Sequence, residues 1–78
     1  MVDTKDSTKY FIYDSVNDEY LYDYGIDTVE FTLHECARAL IADREEAILT
    51  ALLIQRRYSN RYLEVYEVII KTTKVERD

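Results

Sequence analysis

Cys36 is the only cysteine in the chain and His34 the only histidine. One thiol cannot close an internal disulfide, and no cluster has the spacing of a zinc site. A chain of 78 residues buries a small share of its surface and commonly relies on such a staple or on a partner chain. This chain therefore either builds a sufficient core from its own apolar side chains or gains burial by self-association. A lone thiol without a signal-peptide pattern is the expectation for a cytoplasmic protein. No apolar run approaches the ~20 residues of a bilayer span.

Proline is absent and Gly25 is the single glycine, which argues against a long linker and against a glycine-rich phosphate loop. The polar ends read as a flexible N-terminus over 1–8 and a polar C-terminal tail over 72–78, flanking one α+β domain over 9–71. Within it, Lys9 to Asp14 reads as a strand, Ser15 to Asp18 as a turn and Glu19 to Tyr24 as the returning strand, a β-hairpin. Gly25 is expected to end it with backbone angles that other residues resist. Strand alternation puts Tyr20, Tyr22 and Tyr24 on one face and Leu21 and Asp23 on the other. One face of the hairpin is expected to pack on a helix, leaving aromatic surface on the other.

Thr32 followed by Glu35 is a capping box, and Leu33, Cys36, Ala37, Leu40 and Ile41 recur at helical spacing behind it. A second box at Asp43 to Glu46 opens a longer apolar pattern that ends near Arg57. The expected arrangement is a short helix, a break at Asp43 and a long helix. Arg61 to Lys71 then reads as a strand with apolar residues on both faces, which suits a central position in a sheet. The fold expected is a two-layer α+β domain: a three-stranded sheet, its last strand beside the first, under helical cover.

Little here resembles catalytic chemistry. His34 and Cys36 are two apart, which on a helix points them away from each other, so a nucleophile–base pair is not expected and Cys36 reads as buried. Glu45 and Glu46 fall in a helix's first turn, where they complement its dipole. Asp18 and Glu19 sit at a hairpin turn. Arg56, Arg57 and Arg61 read as cations at a helix C-terminus, with a phosphate or nucleic-acid site, or docking on the acidic hairpin of a second copy, as the alternatives. No catalytic residue, cofactor or metal ligand is assigned, and no enzymatic activity is expected.

The charge is uneven. Residues 1–35 hold nine acids against two lysines, whereas 36–78 are nearly balanced. Tyr10 to Tyr24 holds five tyrosines and four acids with no basic residue. Such a stretch disfavours direct binding to nucleic-acid phosphate and favours a basic protein partner.

The segments Lys9-Tyr10-Phe11-Ile12, Tyr20-Leu21, Ala37-Arg38-Ala39-Leu40 with Glu45-Glu46-Ala47, and Tyr62-Leu63-Glu64-Val65 resemble those of small uncharacterised phage and prophage proteins of Gram-positive bacteria. The resemblance spans roughly residues 9–70 and implies no activity. Size and charge are also those of anti-CRISPR and other anti-defence inhibitors. The functional expectation is an interaction module that occupies a basic site on a nucleic-acid-handling protein through Tyr13, Asp18, Glu19, Tyr20, Tyr22 and Asp23, with carboxylates where phosphates lie and rings where bases stack. The alternative expectation is a structural or accessory homo-oligomer, a homodimer in its simplest form, that buries the spare aromatic face between copies.

Overall fold

Four segments pair as strands and one coils as a helix in a computed structural model that describes residues 2–75. Strands β1 (Val2–Asp14), β2 (Glu19–Tyr24) and β3 (Val29–Thr32) precede a single 3-10 turn at Glu35–Ala37, helix α1 (Arg44–Gln55) and strand β4 (Leu63–Val75). The strands form one antiparallel sheet in the order β3-β2-β1-β4, and α1 lies across one face. The fold is α+β, with four strands and one helix where three strands and two helices were expected.

The extra strand is β3. Val29 and Phe31 alternate with Glu30, too short a run to signal a strand by itself, yet their inward side chains pack against the core. The missing helix has a backbone cause. β1 and β2 are paired only at Tyr13↔Tyr20 and Asp14↔Glu19, and then diverge. Freed amides and carbonyls inside a sheet must find partners. The segment after the 3-10 turn supplies them in extended form: the Ala39 N–H donates to the Leu21 carbonyl, and Ile41 and Tyr10 exchange both backbone bonds, each at 2.8 Å. A helix could not have done so. Of the expected helical stripe only Ile41 is buried, Leu33 and Leu40 are exposed, and Cys36 is exposed rather than internal.

α1 matches its sequence pattern. The Asp43 carboxylate accepts from the Glu45 N–H at 3.0 Å and caps the helix, with Glu45 and Glu46 in the first turn. Ala47, Ala51 and Ile54 face the sheet and join Ile12, Leu21 and Ile41 in the core. The two alanines let the helix lie close to the strands. Gln55 then fixes the exit: its amide nitrogen donates to the carbonyls of Tyr58 and Arg61, and its carbonyl oxygen accepts from the Leu63 N–H.

β1 and β4 pair in unbroken register from Val2↔Val75 to Asp14↔Leu63. Residues 2–8 and 72–75 thus lie in strands, where a frayed terminus and a tail were expected; Met1 and residues 76–78 of those segments lie outside the described residues. At about 3.3 Å per residue these strands outrun the rest of the sheet, and the molecule is 54 Å long against 24 and 21 Å in the other directions. β4 is an edge strand, not a central one. On one face Leu63 and Val65 pack on the core and Ile69, further along, is exposed; on the other face Tyr66 is exposed.

The hairpin turn uses Asp18, not a glycine, for its left-handed position, with φ of 55°. Gly25 has no positive φ, and a Cβ there would meet nothing within 4 Å. Gly25→Ala should therefore be neutral or stabilise by up to about 1 kcal/mol, whereas Asp18→Val should destabilise by about 1–2 kcal/mol. Chemical denaturation of the two variants checks this ordering.

Candidate functional site

Side chains of directly paired residues share a face, so the ladder sorts the expected site residues. Ile12, Asp14, Glu19, Leu21, Phe31, Leu63 and Val65 lie on the helix side. Phe11, Tyr13, Tyr20, Glu64 and Tyr66 lie on the other, which no helix covers. There the four rings make one cluster: Phe11 stacks on Tyr66 at 5.4 Å between centroids, Tyr13 and Tyr20 lie 5.2 Å apart, and Phe11–Tyr20 and Tyr13–Tyr66 close the set. The rings line a shallow depression of about 220 Å³. Tyr66 is 43% exposed.

A bulge between Leu21 and Asp23 breaks the alternation of β2. Tyr24 now pairs with Val29 and packs on the core, opposite in sense to Tyr20, and the three alternate tyrosines do not share a face. Burial, then the neighbouring Glu46 carboxylate, raise the Tyr24 phenol above its ordinary pKa. Tyr22, at the bulge, is exposed.

Carboxylates border the ring cluster. Asp18 accepts from the Tyr13 hydroxyl at 2.5 Å, and Glu64 from that of Tyr66 at 3.2 Å. The Asp18 bond is the main reason the Tyr13 phenol is pushed up to about 12; its bond to Glu64 likewise raises Tyr66. Asp23 pairs directly with Glu30 across β2 and β3. Like charges directly opposite each other weaken a sheet, so folding gives no reason for this pair. Arg38 lies over the Phe11 ring at 4.6 Å but is engaged by Glu35 at 3.3 Å.

Glu19 belongs elsewhere. It points to the helix side and accepts from Arg61 Nη1 at 2.7 Å, and the same nitrogen donates to Asp14 Oδ2 at 2.7 Å. Asp14 is fully buried. Its oxygens also accept from the Val16, Asn17 and Tyr62 N–H groups and from the Asn17 side-chain amide. Burial alone would raise the Asp14 pKa; the donors, Asn17 foremost, outweigh it and hold the carboxyl at about 2. The Arg61 guanidinium stacks on Phe31 at 3.7 Å from its centroid. Arg61 does dock on the acidic hairpin, but on that of its own chain. Sequence spacing could not show this, because Asp14 and Arg61 lie 47 positions apart.

The remaining candidates do not converge. His34, just before the 3-10 turn, and Cys36, within it, are both exposed. Asp18 and Glu19, adjacent in sequence, turn to Tyr13 and to Arg61 respectively. Arg56 caps the C-terminus of α1, and Arg57 follows it. A separate groove of about 280 Å³ between α1 and the β2–β3 turn is lined mostly by apolar groups, including Tyr24, Ile26, Val29 and Leu53, with Arg57 at its side. Among the described residues no three His, Cys, Asp or Glu side chains are placed to hold a metal, and no helix is long and apolar enough to cross a membrane. Comparison with family models, curated proteins and solved structures gave no match.

Asp14→Ala leaves Arg61 half-buried with one carboxylate fewer and strands three backbone N–H groups, so it should cost about 3–5 kcal/mol in denaturant unfolding, against about 1 kcal/mol for Asp18→Ala at its left-handed turn position. Because the folded Asp14 pKa lies below its ordinary 3.8, its contribution is present above that value and is lost as pH falls from about 4 through about 2. The Tyr13 phenol has the opposite sense. Its hydrogen bond holds below pH 10 and is lost as pH rises through about 12, and Asp18→Asn should return its titration, followed by NMR of the ring, toward 10.0.

Proposed function

We propose that the chain is a non-enzymatic protein-interaction module that docks the helix-free face of its sheet on a basic protein surface. The observation that carries this reading is the half-exposed cluster of Phe11, Tyr13, Tyr20 and Tyr66, bordered by Asp18 and Glu64, with the Asp23–Glu30 pair further along β2 and β3. Tyrosine rings supply large, rigid contact area at low entropic cost, and carboxylates around them select a cationic partner. The Asp23–Glu30 pair, unfavourable in the free protein, is relieved when a cation of the partner lies between them.

In its concrete form the module is a small acidic inhibitor, phage-encoded and of anti-CRISPR or anti-defence character, acting in the host cytoplasm. It occupies a basic site of a nucleic-acid-handling protein. Rings then take the place of stacked bases and carboxylates that of phosphates. The contact set is Tyr13, Asp18, Tyr20, Tyr22 and Asp23, joined by Glu30 and Tyr66. Glu19 is omitted because Arg61 holds it on the opposite face.

Affinity capture from bacterial lysate tests this with Asp18→Lys/Asp23→Lys beside the wild type. Reversal at these exposed positions spares the Asp14 network. The expected result is a nucleic-acid-binding protein retained at low salt, released by added DNA, and bound at least about tenfold more weakly by the variant. A partner retained equally by both proteins, or one indifferent to DNA, contradicts the proposal.

A further inference from the structure

β4 (Leu63–Val75) is an outer strand of the sheet, and no described segment pairs with its outer edge. Long edges of this kind template the addition of another strand, and proteins commonly blunt them with proline, bulges or short length. β4 lacks all three and carries only the fourth common device, charge, in Glu64, Glu67, Lys71 and Lys74. It runs for 13 residues, its ladder with β1 is unbroken, and the chain lacks proline. The opposite edge, β3, is only 4 residues long and lies beside the bulge.

The charges of β4 are arranged symmetrically. Glu64 and Glu67 precede Ile69 by the distances at which Lys74 and Lys71 follow it, and these four are the strand's only charged residues. Within its own sheet Glu64 lies opposite Tyr13, and Glu67 opposite Tyr10, so neither glutamate faces a cation across the ladder. Lys71 lies opposite Asp6.

We propose that two copies of the chain pair antiparallel through β4 about a two-fold axis at Ile69. In this register Glu67 of each copy lies opposite Lys71 of the other, and Glu64 opposite Lys74. All four charges are matched, and each match occurs twice. A slip of one or two residues in either direction leaves none of them opposite an opposite charge. The Lys71 position then reads Asp6, Lys71, Glu67 across the two chains, alternating in sign. Ile69, 58% exposed in the single chain, meets its own copy on the axis. The product is a continuous eight-stranded sheet. Because directly paired residues share a face, both ring clusters lie on one side and both helices on the other. This interface uses the edge of the sheet and shares Glu64 with the proposed docking face, whose other carboxylates, Asp18, Asp23 and Glu30, lie on other segments.

Two charge-uniform variants test the pairing by sedimentation, with circular dichroism to confirm folding. Glu64→Lys/Glu67→Lys makes the strand all basic, and Lys71→Glu/Lys74→Glu makes it all acidic. The wild type should sediment as a dimer. Each variant alone should dimerise at least tenfold more weakly, and an equimolar mixture should restore a dimer. A monomeric wild type at high micromolar concentration, unweakened variants, or a mixture that stays monomeric overturns the proposal. The register is read by a spin label on Thr73→Cys in a Cys36→Ser background. Residue 73 pairs with residue 65 of the partner, so the two labels should be separated by eight residues along the strand, about 26 Å at ~3.3 Å per residue. A dimer whose distance distribution excludes that value overturns it.

Discussion

A buried carboxylate holds this molecule together. Asp14 is fully inaccessible and sits where the first hairpin closes and the last strand enters the sheet. Its two oxygens take five donors from three places: the turn after β1, the Asn17 side chain and the segment leading into β4. Apolar packing alone would not specify this junction, since only six hydrophobic residues are buried among the described ones. A charged group that must be satisfied admits few arrangements, and here the arrangement fixes the hairpin turn, the β1–β4 register and the position of Arg61 together.

That junction also decides what the rest of the acidic hairpin presents. By drawing Glu19 and Arg61 to the helix side, where the guanidinium lies over Phe31, it separates the hairpin's charges into an internal set and an external set. The internal set, Asp14 and Glu19, shares the single guanidinium of Arg61. The external set, Asp18, Asp23, Glu30 and Glu64, shares the uncovered face with four rings. The bulge at β2 sharpens the division by moving Tyr24 into the core and leaving Asp23 opposite Glu30. A surface with apolar area and unrelieved negative charge follows from the same interactions that stabilise the fold.

How much of this was legible in the sequence depended on range. Local signals were sufficient for β2, bounded by Glu19 and Tyr24, for α1 with its Asp43 cap, and for a left-handed turn residue among Asn17 and Asp18. They misled at residues 33–41, where helical spacing was overridden by the backbone groups of Tyr10 and Leu21 seeking partners. They were silent on β3, whose three alternating residues acquire meaning only against Leu21 and α1. The site was half visible. Tyr13 and Tyr20 lie in strands the local pattern signals and Asp18 in the turn between them, but Tyr66 and Glu30 enter through sheet neighbours distant in sequence, and Glu19 leaves through a pairing 42 positions away.

The claim that the ring-and-carboxylate face is the recognition surface can be examined without knowing the partner. A short arginine-rich peptide titrated into isotopically labelled protein at low salt, followed by two-dimensional NMR, reports where a basic ligand settles. The account requires shifts concentrated at Tyr13, Tyr20, Tyr22, Asp23, Glu30 and Tyr66 that fade with added salt. Shifts spread evenly over all exposed acids, or centred on Glu45 and Glu46 of the helix, would contradict it.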